Sequence, residues 1–386
     1  MSVFDSIIGQ TQAIETLKKA SVAAKTQSNN QEMTHSWLFV GPPGSGRSNL
    51  AIAFATSLIC SKGGCGDCTD CTTARLGNHP DIEIFATEGI SIKVDDIREL
   101  VARGSWGASI SPFLVVVIED CDRMTESAAN ALLKSIEEPG SQTVWLLCAP
   151  SLDEVLPTIR SRCRLVSLRT PTTNEISKYL ISELNLDTKS ANQIASISQG
   201  HIGRAKYFAT NSQALQIRIK VLKLFTSIKT ESDAIKVAGE LLELATTSSE
   251  LRTQEVDQKE EELLKITIQG SNRAYLSGGS KALKELEKNQ KLRTTRTTRD
   301  EIDSYLLYLQ SFLRDAISLN QSNPDLIINS DLTKEISSLI SNTPPANLQE
   351  LALRINKYRF NLDSNAAQLL TLESVTLDFL SSTHGI

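Results

Sequence analysis

The chain has 386 residues, enough for two or three domains, and its 40% hydrophobic and 22% charged residues are ordinary for a soluble globular protein. A formal net charge of −5 excludes the whole-chain basic excess that marks an autonomous nucleic-acid binder, so any DNA contact must come from a local patch or from a shared assembly. Aromatics make up only 5%, so the core must be largely Leu, Ile, Val and Ala, which favours helices packed on helices and on a sheet.

The opening residues Met1-Ser2-Val3-Phe4-Asp5 show no basic region followed by an apolar stretch, and the longest clean apolar run, Phe113 to Ile118, is far too short for a bilayer. A cytoplasmic location without membrane contact is expected. Ala13, Ile14, Leu17, Ala20 and Val22 recur at helical spacing over residues 10–27, and Gln27 to Gln31 reads as a polar loop. A short buried strand, Trp37-Leu38-Phe39-Val40, then runs into a Gly-Pro-rich turn. Further strands are expected at Asp81–Phe85, Phe113–Glu119, Thr143–Cys148 and Arg164–Leu168, with helices at 47–60, 94–103 and 125–138 between them. Strands alternating with helices imply a mainly parallel sheet covered on both faces.

Strand signals fade after Pro171. Residues 173–184 and 188–198 read as two short helices followed by Gly200-His201-Ile202-Gly203-Arg204, and the pattern from 211 onward is almost wholly helical. Ile302, Tyr305, Leu306, Leu309, Phe312, Leu313 and Ala316 line one face of a helix over 302–317. Gly278-Gly279 and Pro344-Pro345 are expected breaks between helices. The fold class is therefore α/β followed by all-α, with boundaries expected at 1–170, 171–210 and 211–386. Lys281, Lys284, Lys288, Lys291, Arg293, Arg296 and Arg299 form a basic run that could track phosphates or be a solvated helix face. The acidic stretch Glu255–Glu262 reads as a solvated face.

Residues 41–48 read Gly-Pro-Pro-Gly-Ser-Gly-Arg-Ser. Every fixed position of the phosphate-loop spacing G-x-x-x-x-G-K-[ST] fits except the lysine, which is Arg47. Gly41, Gly44 and Gly46 would let backbone N–H groups face a common hollow at a helix N-terminus, with Ser48 as the Mg²⁺ ligand. Arginine is longer, planar and forked where lysine is a compact point charge, so the exchange puts hydrolysis in doubt. After the strand ending at Ile118, Glu119-Asp120 reverses the Asp-Glu order in which the first carboxylate assists Mg²⁺ and the second polarises the attacking water. Two independent departures predict a nucleotide site that is weak or inert, with ATP or ADP and Mg²⁺ left open as ligands.

Cys60, Cys65, Cys68 and Cys71 form C-x4-C-x2-C-x2-C with Gly63, Gly64 and Gly66 between them. Short spacers and glycine turns let four thiolates face one ion, which points to structural tetrahedral Zn²⁺; free thiols and, less readily, an iron–sulfur cluster are the alternatives. Cys121, Cys148 and Cys163 sit in apolar settings and read as small core residues.

The P-loop, the four-cysteine insert and Ser161-Arg162-Cys163 occur in one order. Together with His35-Ser36-Trp37-Leu38-Phe39-Val40-Gly41-Pro42, the stretch Asn130–Pro139 and the stretch Leu156–Arg164, they resemble the bacterial AAA+ clamp-loader subunits of the delta-prime and gamma/tau family. The resemblance is specific over 1–210 and mostly architectural beyond. It implies an AAA+ P-loop domain, a small helical lid domain and a C-terminal helical collar domain. It also implies that Arg162 is an arginine finger acting in trans on a neighbour's ATP, and that Arg204 lies at the sensor 2 position of the lid. Val3 to Gln10 would cover adenine or serve as plain core. An intact Ser-Arg-Cys beside an altered own site is the delta-prime side of that family. The expected partners are delta and gamma/tau in a hetero-oligomeric ring, and the sliding clamp and primed DNA through the DNA polymerase III holoenzyme. The alternatives are an active ATPase of gamma/tau type or a zinc-stabilised DNA-binding scaffold; a small-molecule P-loop kinase is disfavoured, because the helical C-terminal region offers no substrate-pocket motif.

Overall fold

The computed structural model describes residues 2–26, 32–87, 89, 91–140, 142–270, 276–321, 327–364 and 366–384. The chain divides into two units, Met1–Thr210 and Asn211–Ile386.

The first unit runs α1 (Thr11–Thr26), β1 (Ser36–Val40), α2 (Arg47–Ile59), α3 (Thr69–Arg75), β2 (Ile82–Phe85), α4 (Val94–Gly104), β3 (Leu114–Ile118), α5 (Glu126–Glu137), β4 (Thr143–Ala149), α6 (Pro157–Arg160) and β5 (Arg164–Ser167). The five strands form one parallel sheet in the order β2-β3-β4-β1-β5. Alternate residues of each strand face opposite sides. Trp37, Phe39, Val115, Val117, Val144, Leu146 and Cys148 therefore meet Leu17, Leu50, Phe54 and Leu58 of α1 and α2. Leu38, Val116, Ile118, Trp145 and Leu147 meet Ile97 and Leu100 of α4 and Leu132 and Ile136 of α5 on the other side. Both faces are buried, which is why the strands read as near-continuous apolar runs. Trp37 packs edge-on against Phe54 with centroids 5.1 Å apart.

Three short helices complete this unit: α7 (Thr173–Leu184), α8 (Thr188–Ser198) and α9 (Ile202–Thr210). A capping box starts α7, where the Thr172 hydroxyl accepts from Glu175 N and the Glu175 carboxylate accepts from Thr172 N. Asp187 caps α8 by accepting from Ser190 N at 3.0 Å.

The second unit is helical: α10 (Ser212–Thr226), α11 (Glu231–Gly270), α12 (Leu276–Asn320), α13 (Thr333–Asn342), α14 (Pro345–Asp363) and α15 (Gln368–His384). Helices α11 and α12 run antiparallel, since Ser249 bonds to Thr294 O and Gln290 to Asp257 O. The stripe from Ile302 to Ala316 is buried at all seven positions, and Phe379 of α15 packs 5.7 Å from Phe225 of α10. Arg218 of α10 is wholly buried and holds Asp331 at 2.7 Å and Asn329, while Asp315 of α12 accepts from the backbone N–H and side-chain amide of Asn329.

Three expectations need correction here. Gly278-Gly279 does not break a helix; both residues lie inside the first turns of α12. The acidic stretch is not simply solvated, because Asp257 and Glu260 pair with Arg293 across α11 and α12 at 2.6 and 2.7 Å. Nor is the basic run an open track: Arg293 is committed to those acids and Arg299 is buried, leaving Lys284, Lys288 and Lys291 exposed. The side chains of Glu255 and Lys281 lie outside the described residues. Among the described residues no helix is long and apolar enough to cross a membrane.

Candidate nucleotide, arginine and metal sites

Parallel order places the C-terminal ends of β1 and β3 on one edge of the sheet, with β4 between them. The turn from β1 into α2 and the Glu119-Asp120 pair after β3 therefore share that edge. Gly44 and Gly46 take φ of +81° and +92°, conformations that side chains disfavour, and these bend the chain into the phosphate-loop hollow. Asp120 is also left-handed, at φ 50°.

Arg47 does not reach outward from this loop. Its Nη1 donates to the Gly41 carbonyl at 2.9 Å, its Nη2 lies 3.8 Å from Asp120 Oδ1, and its side chain is 13% exposed. The cation is thus spent on its own loop and on the acid at the end of β3. The hollow is also roofed. A Cβ on Gly44 would sit 2.2 Å from the His201 ring, and Ile202 N, opening α9, donates to Gly44 O at 3.1 Å. Burial first, with the positive charges of Arg204 and Arg47, depresses the His201 pKa to about 4, so the ring is neutral at pH 7. Its Nδ1 accepts from Arg204 N at 3.1 Å, placing Arg204 in the first turn of α9 beside the loop. Ser48 is half-buried at the start of α2.

Gln10, at the end of the N-terminal segment, ties the loop down, a role that no sequence pattern marks. Its Nε2 donates to Ser45 O at 3.2 Å and to Arg169 O at 2.8 Å, and its Oε1 accepts from Arg169 N. Phe4 and Ile8 of the same segment are buried core residues.

On the turn between α6 and β5, the three neighbouring arginines divide. Arg164 lies 5.0 Å over the Trp37 ring and donates to Glu32 O, so it is a packing residue. Arg160 is exposed. Arg162 is partly exposed and clamped: Nε donates to Glu137 Oε1, and Nη1 donates to Thr158 O at 2.9 Å and to Ser161 Oγ at 3.2 Å. Glu137 closes α5, 25 residues away in the chain, and no local pattern joins it to Arg162.

Cys60 ends α2, and Cys65, Cys68 and Cys71 follow on the turn and on α3, a helix the sequence reading missed within the cysteine spacing. Their four sulfurs lie within 4.8 Å of one another, with Cys60 Sγ 3.8 Å from Cys65 Sγ and 3.6 Å from Cys68 Sγ. Tetrahedral Zn–S bonds of about 2.3 Å require S···S edges of about 3.8 Å, so the set fits that ion. Gly63, Gly64 and Gly66 all have φ between +77° and +87°, which is what the tight turn between thiols demands. The Cys60 thiol is raised by burial but lowered more by the N–H groups of Cys65, Gly64 and Lys62, ending at about 6; burial and the neighbouring sulfurs push Cys71 well up. Four sulfurs this close share few negative charges until a divalent cation compensates them. The turn is anchored on Val3, whose N donates to Gly64 O at 2.9 Å, and on Lys25, whose Nζ donates to Cys60 O. Cys121 and Cys148 are buried in the sheet core and Cys163 is partly buried.

Residues 16–172 match the family model "DNA polymerase III, delta subunit", and residues 281–379 match "DNA polymerase III, delta subunit, C terminal". The DNA polymerase III subunit delta' of Bacillus subtilis is 32% identical over 50% of this chain and 59% of its own length. That of Pseudomonas aeruginosa is 40% identical over 33% of this chain and 41% of its own. Among solved structures, a DNA polymerase III gamma subunit-related protein of Thermotoga maritima aligns with 96% of this chain and 99% of its own at 18% identity, with a TM-score of 0.45. The chain thus spans about half the length of the delta' relatives it matches. A phosphate-loop sheet matched by the first family model is followed by helices matched by the second, so over these two segments the chain is similar to DNA polymerase III delta and delta' subunits.

Proposed function

We propose that this chain works as the delta-prime subunit of a DNA polymerase III clamp loader, completing a neighbouring subunit's ATPase site with Arg162 while its own nucleotide site stays weak or inert. The carrying observation is the contrast between two arginines. Arg47 stands where a phosphate-contacting lysine would stand, but bonds Gly41 O and lies against Asp120. Arg162 stands on an exposed turn, with its guanidinium held at Nε and Nη1. A fixed guanidinium aimed at developing phosphate charge accelerates phosphoryl transfer by about 10³ to 10⁵. In this reading Gly41, Gly44, Gly46, Arg47, Ser48, Glu119, Asp120 and Arg204 are the remains of a nucleotide site. Cys60, Cys65, Cys68 and Cys71 would hold a structural Zn²⁺ that fixes the turn between α2 and α3 and supplies no reaction chemistry. Delta and gamma/tau would be ring partners through the C-terminal helices acting as a collar, and the sliding clamp and primed DNA would be met through the complex.

The test is ATP turnover. The isolated chain is expected to hydrolyse ATP at background, and Arg162→Ala in a ring reconstituted with delta and gamma/tau to assemble normally while losing at least about tenfold of the DNA-stimulated rate. Vigorous hydrolysis by the isolated chain, suppressed by Ser48→Ala, would instead identify a gamma/tau-type ATPase.

A further inference from the structure

We infer that Glu137 is the positioning residue for Arg162: its carboxylate holds Nε so that the guanidinium plane is set before a neighbouring subunit's phosphate arrives. The inference rests on the finger reading above and extends it to a residue in α5. Three contacts define the plane. Nε donates to Glu137 Oε1, and Nη1 donates to Thr158 O and Ser161 Oγ. The bonds fall on Nε and Nη1, and Nη2 has none among the described residues, so Nη2 is the nitrogen left to donate to a phosphate. Thr158 O and Ser161 Oγ lie within four residues of Arg162 and would follow the turn wherever it moved. Glu137 comes from a separate helix whose Leu132 and Ile136 are seated in the sheet core, and it therefore refers the arginine to the rigid body of the domain.

The pair is not explained by stability. Its two side chains are 38% and 45% exposed, and exposed ion pairs contribute little to folding. Orientation is a different matter, because an arginine finger acts only on charge that develops in the transition state, and small misplacements there lower rates steeply. A carboxylate beside a guanidinium also weakens its pull on a phosphate. Contact and charge thus act in opposite directions, and the variants separate them.

The experiment measures steady-state ATP hydrolysis by the reconstituted ring with sliding clamp and primed DNA, resolving kcat and KM. Glu137→Gln keeps an oxygen to accept from Nε and removes the charge; its kcat should stay within about twofold of the parent. Glu137→Ala and Glu137→Asp lose or shorten the contact and should lower kcat about tenfold with KM for ATP unchanged, the pattern of an interaction made only in the transition state. Glu137→Asp keeps the charge and the helix end, so it covers the case in which the alanine variant fails to assemble. Unchanged or raised kcat in both shortened variants, beside a loss in Arg162→Ala, would overturn the positioning role. If Arg162→Ala is itself unchanged, the finger reading has failed instead.

Discussion

Arg47 carries the charge that a phosphate-loop lysine would carry, but its fork is long enough to turn back, bonding Gly41 O at 2.9 Å and approaching Asp120. A lysine would have one compact ammonium and no way to span both groups in this manner. His201 adds a second local consequence. Its pKa falls from the ordinary 6.5 to about 4, because burial and two neighbouring arginines oppose a charged ring. Between those values the unfolded chain binds a proton that the folded chain refuses, so stability falls as pH drops from about 6.5 to about 4, by roughly 3 kcal/mol in all. Urea unfolding at pH 7, 5.5 and 4.5 should show this slope. His201→Phe, which keeps a ring over Gly44, should flatten it. Acid release of any metal held by the four cysteines would be common to both chains, so the difference isolates the imidazole.

Among the elements, the turn from α2 to α3 depends most on something besides packing. It is glycine-rich, its sulfurs crowd within 4.8 Å, and its anchors are the single bonds from Val3 and Lys25. With Zn²⁺ bound, four thiolates replace the core this turn lacks. Metal analysis should find about one Zn²⁺ per chain, and Cys65→Ser or a strong chelator should remove it. The expected result is faster amide exchange in α3 and around Val3, with the strands unaffected; a metal-free chain with full protection there would refute the site. The helical elements of the second unit are held differently. Arg218 is fully buried, with Nη1 and Nη2 on Asp331 and Asn329 and Nε without a partner among the described residues, and Asp315 takes the donors of Asn329, so a buried charge network pins the 328–331 segment to α10 and α12.

For the molecule as a whole, the sheet has both faces covered by α1, α2, α4 and α5, and its phosphate loop is roofed by α9, all within the first 210 residues. That unit therefore owns a complete core. Residues 1–210 expressed alone should unfold cooperatively in urea and retain the zinc site; a non-cooperative transition would mean that the first unit needs the second. At −5 overall, with Arg293 and Arg299 withdrawn from the basic run, the chain has no whole-chain basic excess of the kind that carries autonomous DNA binding.

Periodic and contiguous features were legible without coordinates. All five strands, the helix at 302–317, the glycine loop and the cysteine spacing are local patterns, and local patterns follow from which side of a strand or helix is buried. The short helices α3 and α6 escaped because four to seven residues carry too little periodicity, and Gly278-Gly279 misled because two glycines weaken a helix without forbidding it. What could not be read were the partners of charged and polar side chains: Glu137 for Arg162, Asp120 for Arg47, Asp257 for Arg293, and Gln10 and His201 for the phosphate loop. These pairs join positions at least 25 residues apart, and nothing in the intervening chain records them. Burial is a property each residue advertises by its own chemistry, whereas a hydrogen bond between distant groups exists only once packing has set the distance and angle.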